Sequence, residues 1–175
     1  MDKLSIVVPC YNEQETVNIF YRETTKVVDA MKMDYEIIFV NDGSRDKTLE
    51  ELTKLHDAHP EHVIVIDFSR NFGKEGALLA GLESATGNYV TVMDADLQDP
   101  PEYLPKMFTV MNEQHVDIVG TRRVTRKGEP KIRSFFARQF YKLINKFTEV
   151  EIVDGARDFR LMTRPVVDSV LSLQE

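Results

Sequence analysis

Short runs of Val and Ile, each four to six residues long, alternate along the chain with segments of helical period. Strands that are apolar on both sides must be covered on both faces, and a helix between consecutive strands allows parallel pairing, so this alternation predicts an α/β fold with a parallel sheet. The runs are Leu4 to Val8, Glu36 to Val40, Val63 to Phe68, Asn88 to Met93 and Val116 to Gly120. Between the first two, Val17, Phe20, Tyr21, Thr24, Val28 and Met31 recur on one helix face, with Asn12 expected as N-cap and Glu15 as its capping-box partner. Leu49, Leu52 and Leu55 mark a second helix. In the next, about Lys74 to Ala85, the small residues Gly76, Ala77, Ala80 and Gly81 permit close packing on the sheet. Pro100 and Pro101 suit the first turn of a helix buried through Leu104, Met107, Phe108 and Met111. Beyond it, a helix from about Arg133 to Phe147, a short strand at Glu151 to Val153 and a last helix from Pro165 are expected.

The 175 residues, 42% of them hydrophobic, suffice for one domain with its own core, so residues 1–175 are read as a single domain. Cys10 stands alone, which rules out an internal disulfide and a multi-cysteine metal centre. No run of about 18 apolar residues spans a membrane. A net charge of −7 argues against general nucleic-acid binding. Yet residues 122–146 hold nine Lys or Arg against one acid, Glu129, so an acidic body carries one basic patch. Within it Phe136, Phe140, Leu143 and Phe147 share one helical face, and Arg138, Lys142 and Lys146 another. Such a helix can rest on an anionic membrane surface or simply pack on the domain.

Ligands of open parallel sheets bind beyond the carboxyl ends of the strands. Here those ends carry Pro9, Tyr11, Asn12 and Glu13, then Asn41 and Asp42, then Ser69, Arg70 and Asn71, then Asp94, Asp96 and Gln98. Caps and turns account for Asn12 and for Asn41-Asp-Gly-Ser. They do not account for Asp94-Ala-Asp, where two neighbouring acids repel unless a cation lies between them. A hard divalent ion meets that need and leaves room in its shell for a substrate's phosphates, which points to a nucleoside diphosphate. Tyr11 offers a face for a base, and Asp42 an acceptor for base or ribose. Neither a G-x-x-x-x-G-K-[ST] nor a G-x-G-x-x-G stretch occurs, so side chains and metal would hold the nucleotide.

Taken in order, Ile6-Val-Val-Pro-Cys-Tyr-Asn-Glu, Val40-Asn-Asp-Gly-Ser, Asn71-Phe-Gly-Lys-Glu-Gly-Ala, Met93-Asp-Ala-Asp-Leu-Gln-Asp-Pro-Pro-Glu and Asp158-Phe-Arg-Leu-Met resemble family 2 glycosyltransferases of the GT-A fold. The likeness is greatest to the polyprenyl-phosphate glycosyltransferases, among them bactoprenol glucosyltransferases and dolichol-phosphate mannose synthases. It implies a Rossmann-like, mostly parallel central sheet flanked by helices. It also implies a nucleotide-sugar donor, held by Pro9, Tyr11, Glu13, Asp42 and Asp94, and Mg2+ or Mn2+ on Asp94, Asp96 and Gln98. Inversion by single displacement follows, with Asp158 and Asp96 as the catalytic acids. For the acceptor it implies a polyprenyl phosphate held by Arg122 and Arg133, with Arg160 balancing charge, at the cytoplasmic side of the cell membrane. Such relatives continue into C-terminal transmembrane helices, so a longer native chain is expected, docked through segment 122–146. A homo-oligomer fits the exposed basic helix. Two departures bear on the acceptor side: Arg157 replaces a small residue and Ala137 a frequent hydroxyl.

Two other classes compete. A haloacid-dehalogenase-type phosphatase also places Asp-x-Asp after a strand, but after the first one and with Thr or Val where Gln98 stands. A non-catalytic nucleotide-sugar-binding or membrane-docking module remains open, as do the identity of the sugar and the choice of UDP, weakly favoured, over GDP.

Overall fold

Ile6, Val7 and Val8 are all fully buried, which consecutive strand residues achieve only when both faces of the sheet are covered. In the computed structural model, which describes residues 2–122 and 156–173, this strand is β1 (Lys3–Cys10), followed by α1 (Val17–Met31), β2 (Asp34–Asn41), α2 (Thr48–Ala58) and β3 (Val63–Asp67). Then come α3 (Lys74–Ser84), β4 (Tyr89–Val92), a 3-10 turn (Pro101–Tyr103), α4 (Leu104–Gln114), β5 (Ile118–Arg122), β6 (Ala156–Thr163) and α5 (Arg164–Ser172). The sheet runs β3-β2-β1-β4-β6-β5. β1 pairs in parallel with β2 and β4, and β2 with β3, while β6 is antiparallel to β4. The expected α/β class with a mostly parallel sheet is the one observed.

The alternating side chains of the strands build two apolar layers. Ile6, Val8, Ile37 and Phe39 pack with Val17, Phe20 and Val28 of α1, Leu52 of α2, and Leu104, Met107 and Met111 of α4. Val7, Ile38, Val40, Val90 and Val92 pack with Ala77 and Leu82 of α3 and Val167 of α5. Each such burial contributes roughly 1.5–3 kcal/mol. α3 comes unusually close to β1, because a Cβ on Gly81 would stand 2.2 Å from Val7 Cγ1.

Three expectations are corrected. Asn12 is not an N-cap: it adopts φ 58, and α1 begins at Val17, where Glu13 O accepts the Thr16 and Val17 N–H groups and so replaces the expected Asn12–Glu15 capping box. β5 starts at Ile118 rather than Val116, because His115 turns left-handed (φ 52) and the Val116 N–H is used to close α4 on Met111 O. β6 is a strand that local periodicity does not predict. It buries Phe159 and Leu161 in one layer and Met162 in the other, an alternation that charged Arg157, Asp158 and Arg160 obscure in the sequence.

Contacts divide the chain into one unit of Met1–Val119 with Phe159–Glu175 and a second of Gly120–Asp158. The expected helix 133–147 and strand 151–153 lie outside the described residues. Among the described residues no helix is long and apolar enough to cross a membrane.

Candidate active site

β1 leads to β2 on one side and its neighbour β4 leads toward β5 on the other, and at such a switch a crevice opens beyond the carboxyl ends of β1 and β4. A cavity of about 430 Å3 occupies that place, and Pro9, Tyr11, Glu13, Asp42, Asp94 and Asp96 all border it. Six of the residues singled out in the sequence therefore meet in one site. Gln98 is not among the lining residues. Arg122, at the end of β5, and Asp158, on β6, are exposed and belong to the second unit, and Arg133 lies outside the described residues.

The loops that present these side chains are tied to one another. Asn12 Oδ1 accepts the Arg45 N–H (2.9 Å), Ser44 Oγ accepts the Asn12 N–H (2.9 Å) and Thr48 Oγ1 accepts the Glu13 N–H (2.7 Å). Asp42, only 4% exposed, reaches the next loop: its two oxygens accept the Phe72 N–H (2.6 Å) and the Gly73 N–H (3.0 Å). Gly43 makes room for this arrangement, since at φ +63 a Cβ would stand 2.3 Å from the carbonyl carbon of Arg70. Turn residues at successive strand ends thus serve each other across strands, a role that spacing along one segment does not reveal.

The paired acids diverge after β4. Met93 and Ala95 are buried, while Asp94 and Asp96 face outward. Asp96 Oδ1 accepts the Gln98 N–H (3.0 Å), and Leu97 between them is left-handed at φ 56. Asp94 Oδ1 accepts a hydrogen bond from the Lys74 ammonium, with Nζ at 2.6 Å. Lys74 borders the same cavity and was not assigned in the sequence reading, although it lies within the Asn71-Phe-Gly-Lys stretch. The signal was there, in the need of Asp94 for a positive partner.

Even so, negative charge prevails: among the described residues the cavity is bordered by Glu13, Asp42, Asp94 and Asp96 against Lys74. The thiol of Cys10, also at the cavity, registers this. Burial pushes its pKa far up, and the charges of Glu13 and Asp94 push it further, so it stays a neutral, unreactive group. A phosphate-bearing ligand would meet repulsion here unless it arrived with a cation.

The donor chemistry fits Mg2+ or Mn2+. Asp94 and Asp96 offer hard carboxylate oxygens, and such ions take one or two carboxylates with substrate phosphates completing the shell. Among the described residues no three His, Cys, Asp or Glu side chains converge into an all-protein cage.

With this geometry in view, likeness to known proteins becomes informative. The sheet and its helices have the GT-A architecture: a mannosyltransferase of Pyrobaculum calidifontis, solved in complex with GDP-Man and Mn2+, superposes with a TM-score of 0.66 at 20% identity, over 97% of this chain and 46% of that one. The profile of glycosyl transferase family 2 matches residues 5–171, and the chain belongs to that family. An uncharacterized glycosyltransferase of Synechocystis is 43% identical over 173 residues, covering 99% of this chain and 54% of its own. The bactoprenol glucosyl transferase of Shigella phage SfX is 39% identical over 173 residues, covering 99% and 56%. The chain thus spans about half the length of these relatives.

Proposed function

We propose that this chain is the catalytic part of a glycosyltransferase that moves a sugar from a nucleoside diphosphate sugar, UDP-linked by preference, to a polyprenyl phosphate at the cytoplasmic face of the membrane. The observation that carries the reading is the convergence of Asp94 and Asp96 with Tyr11, Glu13 and Lys74 on one cavity at the switch between β1 and β4, in a family 2 chain. The name of the phage relative, a bactoprenol glucosyl transferase, supports the lipid acceptor.

In this reading Asp94 and Asp96, helped by Gln98, hold Mg2+ or Mn2+ at the donor diphosphate. When bound, that ion supplies neutralisation of the charge gathering on the leaving diphosphate. Tyr11 and Pro9 flank the base, and Glu13 and Asp42 the ribose. Arg122 and Arg133 fork the acceptor phosphate, and Arg160 balances its charge. An oxygen of that phosphate forms a bond to the anomeric carbon from the face opposite the diphosphate. The bond from that carbon to the diphosphate oxygen breaks, and the nucleoside diphosphate leaves with the electron pair, so the anomeric centre inverts. A phosphate monoester has its second pKa near 6 and is largely dianionic at neutral pH, which leaves Asp158 the lighter task of orienting the acceptor or taking a residual proton.

The test is a melting-temperature panel of UDP, GDP and their sugars with Mn2+, joined to transfer of radiolabelled sugar to polyprenyl phosphate by the full-length protein. One nucleotide family should raise the melting temperature only with metal. The pair Asp94→Asn and Asp96→Asn should abolish that rise and lower transfer by about 100-fold or more. Ligand uptake and transfer that survive both substitutions refute the reading, and uptake without transfer favours a binding module.

A further inference from the structure

Lys74 opens α3 directly after Gly73, and its ammonium lies 2.6 Å from Asp94. Its pair with Asp94 adds little to stability. A cation in the first turn of a helix opposes the helix dipole by about 0.3–1 kcal/mol. The ion pair returns little, because both side chains are 40% exposed and pairs so wetted contribute about 0–1 kcal/mol. What the position does achieve is electrostatic. The ammonium sits at one of the two neighbouring acids on a cavity also bordered by Glu13 and Asp42.

We propose that Lys74 is a placeholder cation: it holds Asp94 while the cavity lacks a donor, and turns to the diphosphate when a nucleotide enters with its divalent ion. The inference rests on the donor-site reading above and adds to it an order of binding. A divalent ion arriving alone must compete with the ammonium for Asp94. A diphosphate offers the ammonium an anionic partner in place of Asp94 and so removes the competition. Metal and nucleotide then strengthen each other's binding, and the coupling is reciprocal. The long flexible stem and three rotatable donors of lysine suit a group that changes partners without moving the backbone. Asp42 fixes that backbone through the Phe72 and Gly73 amides immediately before Lys74.

The test measures binding rather than turnover. Free Mn2+ is followed by electron paramagnetic resonance without nucleotide, and UDP binding by calorimetry at saturating Mn2+, for the wild-type chain, Lys74→Met and Lys74→Arg. Lys74→Met should bind Mn2+ alone about fivefold more tightly and UDP with Mn2+ about fivefold more weakly, two changes of opposite sign. Lys74→Arg, which keeps the charge, should stay within about twofold of wild type in both. A merely structural role would lower the melting temperature and weaken both ligands together. Should Lys74→Met bind Mn2+ no more tightly than wild type while wild type binds UDP with Mn2+, the placeholder role falls and the donor-site reading stands. Should wild type take up neither ligand, the donor-site reading falls and this inference with it.

Discussion

Replacing Asp42 by asparagine separates two tasks that a carboxylate at this position can perform. In the structure its two oxygens accept the Phe72 and Gly73 N–H groups at 2.6 and 3.0 Å from a site only 4% exposed. A hydrogen bond to a charged acceptor contributes about 1.5–3 kcal/mol net. Asparagine preserves the volume but keeps a single acceptor, and it turns an NH2 group toward the remaining N–H, so one donor loses its partner and the other loses charge assistance. The expected loss is about 2–4 kcal/mol. At this chain length that lowers the melting temperature by roughly 4–16 °C. Urea denaturation followed by circular dichroism should show a lower midpoint at an unchanged slope. A change below about 0.5 kcal/mol, the scale of an indifferent surface substitution, would refute the loop-holding role. If the midpoint stays while UDP with Mn2+ no longer stabilises the protein, the carboxylate serves the ligand alone.

At the opposite end of the sheet Glu36, 3% exposed, accepts hydrogen bonds from Lys3 Nζ (2.6 Å), Ser5 Oγ (2.6 Å) and the Thr86 N–H (2.7 Å). Burial alone would raise its pKa, but these donors outweigh burial and hold it below the ordinary 4.5. Its contribution is therefore complete above the unfolded value and fades as pH falls through the lower folded one, so Glu36→Gln should cost about 2–4 kcal/mol at pH 7 and flatten the acid limb of a stability profile. Parallel acid limbs for the two proteins would refute this. Thr24, buried in α1, has the one side-chain oxygen without a hydrogen-bond partner among the buried described residues. Thr24→Val should raise stability by about 1 kcal/mol, read as a higher urea midpoint, and a lower one would contradict the assignment.

How much of this was legible beforehand follows from the range of the interactions. Strands β1 to β4 and their helices announce themselves through local periodicity, since Ile6 to Val8 in a strand, or Leu104, Met107 and Met111 at helical spacing, are buried. β6 does not, because its charged residues mask the alternation and its partner β4 precedes it by some 70 positions, as the bond from Thr91 Oγ1 to Arg160 O illustrates. At the site, the residue types marked the strand ends that meet at the cavity, but their partners were set by contacts between strand ends. The same fact explains why Asn12 resembles a helix cap: its side chain does accept a backbone N–H, but that of Arg45 in the neighbouring loop. Lys74 escaped notice because its value depends on Asp94, 20 residues away.

The two ends of the sheet use acids in opposite ways, and the contrast argues for function at one of them. Glu36 is surrounded by donors until its charge is fully compensated, with Gly87 approaching so closely that a Cβ would stand 2.6 Å from Lys3 O. That is an arrangement stability alone would select. At the carboxyl ends Glu13, Asp94 and Asp96 face one cavity together with Asp42, and Lys74 offsets only part of their charge among the described residues. Stability alone would have removed one of them, because like charges gathered at a partly exposed crevice destabilise the fold they belong to. The loops are strong enough to bear the excess, tied as they are through Asn12, Thr48 and Asp42. In the proposed function, repulsion stored in this way would be relieved by a doubly charged ion that enters with the anionic diphosphate it neutralises. On that reading the crevice would favour an anionic diphosphate and a divalent cation together over either one alone.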